Sequence, residues 1–287
     1  MKVIVVALLV VAGCLVITAP LAAADEAGPG DHDTDAAVQP SAAAPAPNGA
    51  PAGGGQSLAQ AAEDPTASLM SLQIADWYTA SFHHLDDEDA NSVVLRPVVP
   101  FKTGPLKHIF RATVPFITNH PLLDAGISDM TLFDLIVFNQ SWGRWGIGPV
   151  ALLPSGGEDR GADKWALGPA LGFTARHKKL LWGLFNQNLF SFAGDGDRSD
   201  VNASVMQPIL NYGLGHGWSA GSSEMTFAYD WEASRWSSLP LGAKVSKLVK
   251  FGTVPVQFGV QYEYDFANDE SGPQNTTRFT VKFLFPR

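Results

Sequence analysis

Between Val254 and Phe266 the chain alternates strictly. Even positions carry Val254, Val256, Phe258, Val260, Tyr262, Tyr264 and Phe266, and odd ones carry Gln257, Gln261, Glu263 and Asp265. A period of two is the signature of a strand with one oily and one wet face. The same rhythm, in period-two or continuous apolar segments, recurs from Trp77 onward. It predicts strands near 77–82, 92–101, 107–116, 129–138, 143–153, 165–176, 179–192, 201–212, 217–230, 238–250, 254–266 and 276–285. Most approach the roughly 9–11 residues that a tilted strand needs to cross a bilayer. The segments 129–138 and 179–192 are ambiguous in polarity, and their faces stay unassigned.

The connections sort by parity. The first, third and later odd ones include His83-His84-Leu85-Asp86-Asp87-Glu88-Asp89, 118–128, 156–164, 194–200, 231–237 and 267–275, most of them long and acidic. Even ones, such as 102–106, 139–142, Arg176-His177-Lys178-Lys179, 213–217 and Phe251-Gly252-Thr253, are short and carry no acidic residue. Alternation of long outer loops with short periplasmic turns is a property of membrane barrels, not of soluble sandwiches. The expected fold is all-β: a transmembrane up-and-down antiparallel β-barrel of about 12 strands. Tryptophans near strand ends extend the picture to two interfacial girdles: Trp142, Trp145, Trp182 and Trp218 on the turn side, and Trp77, Trp165, Trp231 and Trp236 on the loop side.

The N-terminus supplies the address. Met1-Lys2, an apolar run through Ala19 and Ala22-Ala23-Ala24 read as a signal peptide over 1–24. Val11-Ala12-Gly13-Cys14 also fits a lipidation box, ranked second because the apolar run continues past it. Residues 25–64, rich in Ala, Pro and Gly, read as a disordered tether. The barrel then occupies 65–287, with Asp64-Pro65 as a cap-and-start and a short helix or plug over 65–75. The expected location is the outer membrane of a Gram-negative bacterium, with the lipid bilayer, a small-molecule permeant and the barrel-assembly machinery as partners.

Chemistry adds little. Gly217-Trp218-Ser219-Ala220-Gly221 matches a nucleophile elbow, but that motif needs a strand-to-helix turn and a later histidine, and no histidine follows Ser219. Asp195-Gly196-Asp197-Arg198-Ser199-Asp200 begins like a calcium loop, yet Asp200 replaces the turn glycine and Met206 the bidentate glutamate. His83-His84 beside four acidic residues is read as a solvated loop. With a net charge of −9 and no basic stripe, nucleic-acid binding is not expected. No enzyme activity, metal or cofactor is expected either.

The lumen is the remaining site. Inward projection of the strands places Arg96, Arg111, Glu224, Lys244, Gln257, Gln261, Glu263, Arg278 and Lys282 there, with Asp230 beside them. Trp145-Gly146-Ile147-Gly148-Pro149 and Trp165-Ala166-Leu167-Gly168-Pro169 are near-copies. Their even positions form an inner strip of small residues, Gly146, Gly148, Gly168 and Gly172 with Ala166 and Ala170. Two uses are open: a seat for a plug near 69–74 or for a ligand, and plain barrel curvature.

Several motifs carry a resemblance over about residues 64–287. They are Arg96-Pro97-Val98-Val99-Pro100-Phe101, Arg111-Ala112-Thr113-Val114-Pro115, Trp145 with Gly148-Pro149 and Leu153-Pro154, Lys164-Trp165 with Gly168-Pro169, Gln207-Pro208-Ile209-Leu210-Asn211-Tyr212, and Phe283-Leu284-Phe285-Pro286. In these the chain resembles Gram-negative outer-membrane proteins catalogued as transporters of the MetA pathway of phenol degradation, some mislabelled neuromedin U. The resemblance implies a channel or transporter for passive passage of small, aromatic or hydrophobic molecules. The competing expectation is a closed barrel whose acidic loops bind cations or a partner.

Overall fold

The computed structural model describes residues 56–268 and 271–286. The signal peptide expected at 1–24, Cys14 and the tether up to residue 55 lie outside the described residues. A short helix, α1 (Leu58–Glu63), precedes the strands β1 (Met70–Phe82), β2 (Ala90–Thr103), β3 (Leu106–Asn119), β4 (Gly126–Ile127), β5 (Met130–Asn139), β6 (Gly143–Leu153), β7 (Lys164–His177) and β8 (Leu180–Gly194). There follow β9 (Asn202–Gly215), β10 (Trp218–Ser222), β11 (Phe227–Asp230), β12 (Arg235–Ser238), β13 (Pro240–Phe251), β14 (Val254–Asp265) and β15 (Pro273–Phe285).

These segments make twelve staves. β10 and β11 both pair with β9 and form one stave broken at 223–226; β12 and β13 form another, broken at Leu239; β4 is a short extension beside β3. Every stave is antiparallel to its neighbours, and β1 closes the barrel on β15, from Met70 opposite Phe285 to Phe82 opposite Pro273. Closure leaves no free sheet edge. The turns on the side of both barrel ends are tight. At Phe251–Val254 only two residues intervene, and Gly252 has φ +59°, the left-handed value such hairpins require.

Outside, Ile74, Leu95, Phe116, Ile147, Leu167, Leu171, Leu210, Val245, Val260 and Phe279 are all exposed. An apolar surface on this scale belongs against lipid. Trp142, Trp182 and Trp218 mark one rim and Trp165, Trp231 and Trp236 the other, all exposed. Trp77 corrects the girdle: it faces the lumen, with the guanidinium of Arg278 4.2 Å and that of Arg96 5.1 Å from its ring centre. A cation on each arginine holds the ring where an interfacial position would leave both unshielded.

Three further corrections concern the first barrel residues. The first strand begins at Met70, not near 77, so 65–75 holds no helix. The helix lies earlier, within the segment assigned to the tether, and Asp64 terminates it. Ser57 is the N-cap, its hydroxyl accepting from Gln60 N–H at 3.3 Å. Pro65 cannot extend the helix, so Asp64 turns the chain by accepting from Thr66 N–H at 2.9 Å and Thr66 Oγ1 at 2.7 Å.

Inside, β5–β8 present a dry wall of Phe133, Leu135, Val137, Val150, Ala166, Ala170, Phe185 and Leu189, joined by Ile109 of β3. The face left unassigned over 129–138 is resolved by Asp134. It lies on the lipid side, accepting from His108 Nδ1 at 2.8 Å, while the Phe101 ring stacks on His108 at 4.6 Å.

Candidate functional site

The lumen is built in layers, beginning with residues 56–69 at the mouth on the side of the short turns. Leu58, Ala61, Ala62, Ala67 and Leu69 of this segment pack on Leu284 and Leu248 of the wall. Each fully buried leucine is worth roughly 1.5–3 kcal/mol. Polar contacts fix the position. The Asp64 carboxylate, fully enclosed, accepts from Arg144 of β6 at 2.5 Å and from Gln56 at 2.9 Å, and its second oxygen from Thr174 of β7 at 3.1 Å. Glu63 receives the Lys244 ammonium, the Ser246 hydroxyl at 2.7 Å and the Gln257 amide at 3.0 Å. Lys282 donates to the Ala62 carbonyl at 2.7 Å. Burial alone would push the Glu63 carboxyl up; Lys244 and then Lys282 outweigh it and hold the group below the ordinary carboxylate range.

The second layer is ionic. Arg96 Nη1 donates to both oxygens of Glu224, at 2.6 and 2.8 Å; Arg278 donates to Glu224 at 3.2 Å and to Glu263 at 2.8 Å. Glu224 comes from the break between β10 and β11, which frees it from strand geometry. The next residue, Met225, has φ +36°, a conformation uncommon for a side chain of its size, and its N–H is held by Glu263 at 2.9 Å. Arg96 and Glu224 line a cavity of about 140 Å³ on the plug side. Arg278 and Glu263 line one of about 310 Å³ on the loop side, with Trp77, Phe82, His120 and Asp265. The ion-paired group therefore stands between the two.

All nine sequence-selected lumen residues lie inside. Seven take part in the layers just described, and Gln261 is buried on the same face of β14. Arg111 belongs to the dry wall, its guanidinium 4.3 Å from the Phe133 ring centre and 5.7 Å from that of Phe185. Asp230 does not join them; it caps the outer hairpin by accepting from Glu232 and Ala233 N–H at 2.8 and 3.1 Å.

The small residues Gly146, Gly148, Gly168 and Gly172 also face inward, and residues 69–74 do not lie on them. Residues 69–74 are in or beside β1, and the preceding segment reaches β6 and β7 only at their ends, through Asp64 on Arg144 and Thr174. A Cβ on Gly172 would stand 2.7 Å from the Phe185 ring, and one on Gly146 3.3 Å from Val137. The strip makes room for the aromatic wall. Sequence reasoning missed Glu63, Asp64 and Arg144, the groups that lock the plug. The acidic pair Glu63-Asp64 directly before Pro65 was the available signal.

The remaining motifs lie on β10 and in the loops. Ser219 sits within β10 and shares a hydrogen bond with Ser246 Oγ at 2.7 Å. His83 and His84 bond the carbonyls of Asp265, at 2.8 Å, and Asn268, at 2.5 Å, joining the first and last outer loops. In the loops Glu158, Asp163 and Asp195 offer oxygens within 4.8 Å of one another.

No protein-family model matches this chain, and no curated protein matches it in sequence. Among solved structures it is similar to the COG4313 outer membrane channel from Pseudomonas putida F1, at 14% identity, TM-score 0.53, over 75% of this chain and 94% of that one. It is also similar to the KdgM porin, at 12% identity, TM-score 0.44, over 75% and 99%. A third is outer membrane phospholipase A from Escherichia coli, at 11% identity, TM-score 0.40, over 78% and 94%. The first likeness is one of fold. Together with the closed twelve-stave barrel and its apolar belt, it makes the chain an outer-membrane β-barrel of the Gram-negative type.

Proposed function

We propose that this barrel is a channel for passive passage of small molecules, non-enzymatic, and gated at its periplasmic mouth by residues 56–69. The observation that supports it most is the construction of that mouth. The segment is held largely by ion pairs and hydrogen bonds to Arg144, Lys244, Gln257 and Lys282, contacts that water can replace when the segment leaves. Two cavities beyond it, separated by ion pairs rather than by packed hydrocarbon, give a solute places to stand. The motif resemblance supports aromatic or hydrophobic compounds among the permeants, and insertion through the barrel-assembly machinery.

A second reading, a closed barrel, is favoured by the pairing of Glu63, Asp64, Glu224 and Glu263 within the lumen. Liposome swelling separates the two. Vesicles carrying the barrel without residues 56–69 should swell in small neutral solutes and faster than vesicles carrying the whole chain; swelling by neither would favour the closed barrel.

A further inference from the structure

The inner cavity has an unbalanced set of polar groups. Three carboxylates line it, and each is taken: Asp64 by Arg144, Glu63 by Lys244, and Glu224 by Arg96 and Arg278. Two lining cations remain without a carboxylate at ion-pair distance among the described residues. Lys282 has only the Ala62 carbonyl, and Arg111 has only the faces of Phe133 and Phe185, its Nε enclosed and unpartnered. Asn211 and Ser223 line the same cavity. Each is 3% exposed, and both polar atoms of the Asn211 amide and the Ser223 hydroxyl lack a partner. Buried donors and acceptors are ordinarily satisfied, so a cluster of unsatisfied ones around one cavity indicates a missing partner.

We propose that this cavity is a binding site for a small organic monocarboxylate. Arg111 and Lys282 supply the positive charge, and a guanidinium fork matches the two oxygens of a carboxylate. Asn211 and Ser223 supply neutral hydrogen bonds. The apolar part of the ligand lies on Val98, Ile109, Phe133, Phe185 and Ile209, which line the same space. Its size is bounded: about 140 Å³ is close to the roughly 150 Å³ that accommodates a six-carbon ring. A neutral solute would leave Arg111 unpaired.

The proposal names a ligand class for the channel read above and rests on solutes reaching the lumen, but not on conduction. Binding is therefore measured in detergent, with no membrane present, so that a failure to bind and a failure to conduct are separate results. Calorimetry of the refolded chain with cyclohexanecarboxylate and its neutral amide should give saturable one-to-one binding of the acid, with the amide at least tenfold weaker. Arg111→Gln should remove that preference, leaving acid and amide alike. Should Arg111→Gln fail to fold, Asn211→Asp keeps shape and adds a negative charge to the cavity. It should weaken the acid at least tenfold and leave the amide unchanged. Equal binding of acid and amide, no saturable binding of either, or an acid preference that survives the variant that folds would overturn the assignment.

Discussion

Arg144 donates to Asp64 at 2.5 Å across eighty residues of sequence, so the side chain that ends α1 is held by the inner face of β6. The Asp64 carboxylate has no access to solvent and Arg144 is its only ionic partner among the described residues. Removing one member of a buried pair strands the other, typically at about 3–5 kcal/mol. That is about as much as the two buried leucines of this fourteen-residue segment contribute together, roughly 3–6 kcal/mol.

Arg144→Ala should therefore release the plug while the barrel stays closed. A cysteine replacing the buried Ala62, in a chain lacking residues 1–24, reports it. The thiol should resist a membrane-impermeant maleimide in the parent and react in the Arg144→Ala background. Equal protection in both would show that the apolar contacts suffice.

Acid should act through Glu63. Its carboxyl is held below the ordinary range, so its contribution to docking is fully present above the unfolded value and is lost as pH falls through the lowered one. Conductance in planar bilayers should stay low at and above the ordinary carboxylate value of 4.5 and rise only below it. Glu63→Gln should be insensitive over that interval. An opening centred near neutral pH would assign gating to another group.

The ionic layer should set charge preference. With Glu224→Gln, Arg96 and Arg278 lose their shared carboxylate, and the lumen gains positive charge. Reversal potentials in asymmetric potassium chloride should shift toward anion selectivity in the unplugged barrel. No shift would place the conducting path elsewhere.

Glycines should split by their neighbours. A Cβ on Gly148 would stand 1.7 Å from the Asp134 carbonyl oxygen and one on Gly168 1.9 Å from that of Asn188, whereas one on Gly259 meets nothing closer than 3.7 Å. Gly148→Ala and Gly168→Ala should each cost about 1–3 kcal/mol through forced backbone shifts, read as an earlier urea midpoint. Gly259→Ala should be neutral.

The barrel was legible because its determinants are local. Alternation fixed the strands and parity of loop length fixed the side, as in Val254–Asp265, where Gln257, Gln261 and Glu263 are buried and Val260 and Tyr262 exposed. Where local rules conflict, legibility failed. β5 hides Phe133, Leu135 and Val137 inside and sets Asp134 toward lipid, the reverse of the usual rule. Trp77 misled for a related reason, since its partners Arg96 and Arg278 come from other strands. The plug was misplaced by one helix length because Asp64-Pro65 fits either end of a helix, and only Thr66, Thr174 and Arg144, known from the fold, decide which.

The most direct test of a gated channel is single-channel recording of the chain beginning at residue 25 beside the barrel beginning at Met70. The account predicts a mostly silent longer chain and stepwise, long-lived conductance from the shorter one. A shorter barrel that inserts and remains as silent as the longer would contradict it.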